Sequence, residues 1–339
     1  MRGREIHLAA HPVGRPTSSE FRLVEVRVPS PAAGELLVRN TWMSIDPSTR
    51  IRMSGVASDY LPPFELGAPL AGWAVGEVVE SRAPGFAVGD PVLHPLGWRE
   101  FAVLRVNGPG RTAPEPIDVN AATPARAYLG PLSWVGLTSY VGLLRVAELR
   151  DGDVVFISGA AGAVGILAVQ IAKLRGHFVI GSAGSKAKLD FLRDRLGCDR
   201  TLCYRDGDVR ALLRDAAPDG IDVYFDTVGG DHLEAALERM RPRGRIALCG
   251  AISDYNRDGP AQGPTNLFNA VAKGITLRGF LARMYAGEMD AFRSELRGLL
   301  AAGKIVYPEV VFEGLDRAPE ALIAQLSGEN IGKVLVRLG

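Results

Sequence analysis

The chain is predicted to be an α/β protein with a β-rich module and a doubly wound parallel sheet, and three observations predict it. Residues 21–106 fall into short alternating apolar runs broken by Pro and Gly, the pattern of half-buried strands. The stretch Val154 to Leu174, VVFISGAAGAVGILAVQIAKL, is a β-branched apolar run that breaks into small residues and resumes with helical spacing. Beyond it, strand-like runs alternate with helical ones, which implies a parallel sheet of about six strands.

The elements follow in order. FRLVEVRV, GELLVRNTWMSI, GWAVGEVVESR, DPVLHPLG and WREFAVLRV are the strands of the first module, with a Gly-rich turn inside Gly72 to Val92 as a compact barrel corner requires. A loop of Pro and small residues spans Asn107 to Thr123, and Ala125 to Leu149 has helical spacing with glycine interruptions, so a domain boundary is expected near residue 124. After the strands beginning at Val154 and His177 come RTLCY, IDVYFDTV, GRIALCG and ITLRGFL. The helices Lys186 to Leu196, Val209 to Ala216 and His232 to Met240 separate most of them. The tail Met289 to Gly339 reads helix, strand, helix, strand and is expected to return to the first module. The expected domains are therefore 1–124, 125–288 and the return segment 289–339. A β-rich domain interrupted in this way implies a ligand cleft between the two parts.

Composition excludes several classes. A length of 339 residues suits two domains, and a net charge of +1 leaves no basic excess to hold nucleic acid or an anionic membrane. The arginines are scattered singly among acids and glycines. Apolar runs stay short of the roughly 18 residues that span a bilayer, and the start MRGREIHLAAHPVGRP is too polar for a signal peptide, so a cytoplasmic location is expected. Cys198, Cys203 and Cys249 make no C-x-x-C pair and no disulfide framework.

The turn after Val154 carries the chemistry. Gly162 and Gly165 allow close approach of a pyrophosphate, and the N–H groups and dipole of the new helix suit its charge. Ala160 stands where the first glycine of the dinucleotide fingerprint belongs, so the strand–turn–helix–strand context carries the assignment to a Rossmann unit. At the end of the next strand, Ser182 to Lys188 (SAGSKAK) has hydroxyls and ammonium groups where an NAD site has a carboxylate. A 2′-phosphate is repelled by acid and held by cations, so the expected cofactor is NADP(H).

Several blocks together resemble a known family: MSIDPSTRIRMSG (43–55), LGPLSWVGLTSYVGLL (129–144), SGAAGAVG (158–165), GSKAKLDFL (184–192), FDTVGG (225–230), LCGAISDYN (248–256) and ENIGKVLV (329–336). They are similar to the zinc-independent medium-chain dehydrogenase/reductases, and within them to the NADP-dependent alkenal/one oxidoreductases of the prostaglandin-reductase and curcumin-reductase type. The resemblance implies a GroES-like substrate domain and a Rossmann domain. It implies NADPH-dependent reduction of a carbon–carbon double bond conjugated to a carbonyl, and a homodimer. It places Gly162, Ala163, Val164 and Gly165 under the pyrophosphate, and Gly184, Ser185, Lys188 and Tyr204 around the 2′-phosphate. Cys249, Gly250, Ala251, Ile252 and Tyr255 then run along the ribose and nicotinamide half, with Phe280, Leu281 and Asn330 closing over it and Thr138 near the nicotinamide. This chain departs from the family at Ser48 and Thr49, where Tyr and Met are usual, which removes an aromatic from the expected substrate wall. It departs again at Thr227, where Asn is usual.

Metal-ligand spacing is lacking: the first module has no cysteine, and His7, His11 and His94 are expected to be packing or surface residues. A reductase needs no Lewis acid if it holds the hydride donor against the β-carbon of an enone or enal and offers donors to the developing enolate. Tyr255 is the candidate catalytic phenol, orienting a ribose hydroxyl or relaying a proton; the alternatives are a tyrosine packed on the ribose and protonation directly from water. Tyr60, Trp73, Tyr140, Met284 and Tyr285 are candidates for an apolar cleft or for the core. Asp46 and Arg50 would bind a polar substrate group or form a mutual salt bridge or turn. The competing functions are a quinone oxidoreductase and a non-catalytic NADPH-binding sensor.

Overall fold

The computed structural model describes all residues except 58–60, 109–112 and 260–261. Contacts divide it into two compact units, Met1–Leu129 with Glu309–Gly339, and Gly130–Pro308. In chain order the first unit opens with β1 (Arg2–Leu8), β2 (Phe21–Arg27), β3 (Glu35–Ser44), α1 (Ser48–Arg52), β4 (Ala74–Ser81), β5 (Pro91–His94), β6 (Phe101–Arg105) and β7 (Glu115–Pro116). The second unit contains α2 (Trp134–Val141), β8 (Val154–Ile157), α3 (Ala163–Leu174), β9 (Phe178–Ala183), α4 (Lys186–Asp194), β10 (Arg200–Cys203) and α5 (Val209–Ala216). It continues with β11 (Ile221–Asp226), α6 (Gly230–Arg239), β12 (Met240–Leu248), α7 (Phe268–Lys273), β13 (Thr276–Gly279) and α8 (Met289–Ala301). The chain ends in the first unit with β14 (Glu309–Glu313), α9 (Ala318–Leu326) and β15 (Lys333–Arg337).

In the first unit β3 pairs with β4, β6 and β15, so the carboxyl-terminal strand completes a sheet begun near the amino terminus. Ile6, Leu8, Met43 and Trp98 pack there with Leu322 of α9 and Val334 of β15. The polar start of the chain is itself a strand: β1 pairs with β2 in antiparallel register, burying Gly3, Ile6 and Leu8 while Arg2 and Arg4 face water. The sequence alone does not predict this strand, because the charged alternate residues hide the apolar ones.

The second unit is a parallel sheet in the order β10-β9-β8-β11-β12-β13. The strand order reverses between β8 and β11, and the carboxyl ends of strands at such a reversal form the crevice where nucleotides bind. Phe156, Ile180, Tyr224, Leu237 and Ile246 fill the core on one face of the sheet.

The units divide at 129/130 and 308/309, not at the expected 124 and 288. Ala125–Leu129 stays with the first unit, through the Tyr128 hydroxyl on the Asp118 carbonyl at 2.7 Å and Arg126 on Glu309 at 2.6 Å. α8 stays with the second, because Phe292 is fully buried against Tyr140 of α2, with ring centroids 5.5 Å apart, and Arg293 donates to the Leu132 carbonyl. Among the described residues no helix is long and apolar enough to cross a membrane.

Candidate active site

The turn between β8 and α3 is built as its glycines require. A Cβ on Gly165 would lie 2.3 Å from the Gly159 carbonyl oxygen and 2.6 Å from the Ala160 Cα, a backbone contact nothing can relieve. Gly162 caps α3 with no capping side chain, so the first-turn N–H groups around Ala163 and Val164 keep the donors that a helix start leaves unpaired. Ala160, where the fingerprint has glycine, is fully buried, and its N–H donates to the Ser182 carbonyl at 2.9 Å.

A buried carboxylate ties this turn to the next strand. Asp226, at the end of β11, accepts from the Tyr224 hydroxyl at 2.7 Å, the Val228 N–H at 2.9 Å and the Gly229 N–H at 2.8 Å, and lies 3.3 Å from Ser158 Oγ. Thr227 donates its backbone N–H to Ser158 Oγ and its hydroxyl to the Ser158 carbonyl, so threonine does join the two turns where the family has an amide. Burial raises the Asp226 pKa, against the pull of those donors. The backbone N–H groups of Cys249 and Gly250 in turn donate to the Asp226 carbonyl.

At the end of β9 the structure brings Gly184, Ser185, Lys188 and Tyr204 together. A Cβ on Gly184 would lie 2.5 Å from the Tyr204 hydroxyl, Ser185 starts α4 without capping it, and Lys188 is half-buried. Desolvation lowers the Lys188 pKa, with Arg205 as the second cause. Arg205, whose guanidinium carbon lies 5.8 Å from the centre of the Tyr204 ring, is a second cation the sequence reading did not single out. Lys186, by contrast, is paired with Asp190 at 2.6 Å.

A cavity of about 1190 Å³ opens at the carboxyl ends of β11, β12 and β13. Cys249, Gly250, Ala251, Tyr255, Phe280 and Leu281 line it, with exposed Met284 at its rim. Tyr255 bends back over the turn, so that a Cβ on Gly250 would lie 3.1 Å from its hydroxyl. Half-buried Ile252 is held by its N–H on the Thr227 carbonyl. The Cys249 thiol is pushed up to about 12 by burial and then by Asp226, so it is a neutral lining group. Glu234 fastens the far wall: the Thr265 N–H and hydroxyl and the Arg210 guanidinium hold its carboxylate down at about 2.

Other candidates are placed differently. The Thr138 hydroxyl bonds back to the Trp134 carbonyl of its own helix at 2.7 Å, while Ser139 beside it reaches the Val164 carbonyl at the start of α3. Asn330 belongs to the other unit, and its amide donates to the Gly332 carbonyl at 2.7 Å. Tyr140 is a structural residue, donating to Glu295 at 2.9 Å with Phe292 against its ring. Asp46 and Arg50 do not pair with each other: Asp46 meets Lys333 at 3.0 Å, and Arg50 donates to the Pro12 and Gly14 carbonyls. Tyr60 lies outside the described residues. His94 is buried and bonded to Asn40 at 2.8 Å, and among the described residues no three His, Cys, Asp or Glu side chains are grouped to hold a metal.

The donor set fits a dinucleotide bearing an extra phosphate: uncapped N–H groups beside a glycine that has no room for a Cβ, then two cations with a phenol and a hydroxyl. Residues 4–110 match the family described as the N-terminal domain of oxidoreductase, and residues 163–300 match the zinc-binding dehydrogenase family. The chain is 38% identical to the NADP(+)-dependent 2-alkenal reductase of Nicotiana tabacum, over 98% of this chain and 96% of that protein. It is 34% identical to the NADPH-dependent curcumin reductase of Escherichia coli strain K12, over 99% and 97%. The crystal structure of CurA from Vibrio vulnificus in complex with NADPH superposes with a TM-score of 0.92 at 35% identity, covering 99% of each chain. The chain belongs to the zinc-independent medium-chain dehydrogenase/reductases, among the NADP-dependent enone reductases.

Proposed function

We propose that the chain reduces the carbon–carbon double bond of an α,β-unsaturated ketone or aldehyde with NADPH. The observation that carries this reading is the cavity at the ends of β11 to β13, walled on one side by Leu248, Phe280 and Leu281 and on the other by the Cys249–Tyr255 turn, in a chain alike along its whole length to a 2-alkenal reductase. When bound, the cofactor supplies the hydride that adds to the β-carbon.

In this reading Gly162, Ala163, Val164 and Gly165 bind the pyrophosphate, and Ser185, Lys188 and Tyr204, backed by Gly184, bind the 2′-phosphate. Cys249, Gly250, Ala251 and Ile252 line the ribose and nicotinamide half, with Thr138, Phe280 and Leu281 completing it. As the new C–H bond forms, the double-bond electrons move onto the carbonyl oxygen, and the α-carbon then takes a proton that originates in solvent. The Tyr255 hydroxyl holds the donor network at that oxygen and passes the proton on. Leu248, Phe280 and Leu281 give the reacting carbon an apolar wall.

The chain works as a cytoplasmic homodimer in this reading. Three free thiols suit a reducing compartment. β13 is the edge strand of its sheet, and α7 before it exposes Phe268 and Val271 at 76% and 74%, a combination that suits pairing with a second copy.

The test is purified protein with NADPH and a panel of enones, enals and quinones, followed by mass spectrometry. A saturated ketone or aldehyde is expected. Hydroquinone formed while enones persist would replace this reading with a quinone reductase, and NADPH that binds without oxidation would replace it with a sensor.

A further inference from the structure

His232 lies on α6, far from the phosphate-binding turns in sequence, yet it stands directly behind Tyr204. Its ring is 5% exposed and meets Tyr204 edge to face, with centroids 5.5 Å apart and planes at 71°. On its other side it stacks on Phe156, at 6.3 Å and 7°. Nε2 is fixed by a hydrogen bond to Ser182 Oγ at 2.9 Å, and the carbonyl of the same serine receives the Ala160 N–H of the pyrophosphate turn. The imidazole is thus a wedge with three of its sides set by β8, β9 and Tyr204.

Tyr204 itself is 37% exposed, and a ring that open is held only by what it touches. Its hydroxyl lies over Gly184, Arg205 stands near its ring, and His232 is the buried support. We infer that His232 is a positioning residue for NADP specificity: packed edge to face on the Tyr204 ring, with its own plane set by Phe156 and by the Ser182 hydrogen bond, it keeps the phenol where a 2′-phosphate accepts from it. Burial holds the His232 pKa down at about 4, so the wedge stays neutral at physiological pH and adds no charge of its own. Aromatic edge-to-face contact suits this task because it fixes ring orientation as well as position.

The inference rests on the 2′-phosphate reading of Lys188 and Tyr204, and the experiment separates the two. Calorimetry on the full chain compares 2′,5′-ADP, which carries the extra phosphate, with 5′-AMP, which lacks it. For His232→Ala, 2′,5′-ADP should weaken about tenfold, the loss of one hydrogen bond to an anion, with 5′-AMP unchanged within about twofold. His232→Phe refills the wedge with a flat ring and should restore 2′,5′-ADP to within about threefold of wild type. If Lys188→Ala abolishes the preference for 2′,5′-ADP while His232→Ala keeps it, the inference is overturned and the 2′-phosphate reading stands. If Lys188→Ala leaves the preference intact, that reading fails and takes the inference with it. Equal weakening of both ligands in His232→Ala would mark a general packing role and also overturn it. Should His232→Ala not fold, Ser182→Ala carries the test: a loss of about threefold confined to 2′,5′-ADP supports the inference, and an unchanged ratio overturns it.

Discussion

Lys333 Nζ lies 3.0 Å from Asp46 Oδ1, joining strand β15 to the segment after β3 across 287 residues of chain. The lysine side chain is 1% exposed and the aspartate side chain 24%. Losing the partner of the more buried charge costs more. Asp46→Ala leaves the lysine only the Ile45 carbonyl and should therefore destabilise by about 2–3 kcal/mol. Lys333→Met should cost less, because Asp46 keeps the Ser44 hydroxyl at 2.6 Å and the Ile45 carbonyl keeps Gln325. Urea unfolding of both variants checks the order, and the reverse order would contradict it.

Two neighbouring glycines should fail for different reasons. Gly165→Ala drives a methyl group into the Gly159 carbonyl and should cost at least about 2 kcal/mol in stability. At Gly162 a Cβ meets only the Gly159 oxygen, at 3.2 Å, and φ is −83°, so Gly162→Ala should fold with nearly the wild-type midpoint and lose NADPH affinity instead. Thermal unfolding paired with NADPH titration distinguishes the two.

Lys188→Glu should weaken NADPH by about a hundredfold or more and NADH by no more than about threefold, since it places like charge beside the 2′-phosphate. Arg205→Ala should show the same selectivity at smaller size. Equal losses for both cofactors, read by fluorescence titration, would count against the 2′-phosphate assignment.

Tyr255→Phe should lower kcat by about a hundredfold, the scale of one general acid, with the NADPH Kd within about threefold of wild type. Stopped-flow kinetics and equilibrium binding measure the two separately. A wild-type kcat would reduce the tyrosine to a packing role.

Stability should fall on acidification from near pH 6.5. Burial, with Arg99 as the lesser cause, pushes His94 from its ordinary 6.5 down to about 3, so in that window only the unfolded chain binds the proton. Unfolding then takes up protons, and stability is lost as pH falls. Glu234, held down at about 2 by Thr265 and Arg210, acts in the same direction below its ordinary 4.5. His94→Gln should flatten the decline in urea midpoint between pH 7 and 5, and a slope identical to wild type would refute the assignment.

Much of the second unit was legible in the residues. VVFISGAAGAVG is read correctly as strand, turn and helix because its apolar run, its small residues and its helical spacing are all local. So are the later strands. β1 was not legible, because its buried Ile6 and Leu8 alternate with Arg, Glu and His. The unit boundary near 308 was not either, since α8 owes its place to Phe292 meeting Tyr140. Arg205 and His232 carry no motif, and only their distance from Tyr204 marks them.

The sequence by itself determined the alternation of strands and helices, the glycine turn and the charge that favours a phosphorylated dinucleotide, because each depends on residues within one turn or strand of each other. Tertiary structure alone decided that Asp46 pairs with Lys333 rather than Arg50, that Asp226 ties two glycine turns together, and that His232 stands behind Tyr204. Those partners are separated by long stretches of chain, and their contact follows from how the strands are ordered in the sheet, which no local pattern encodes.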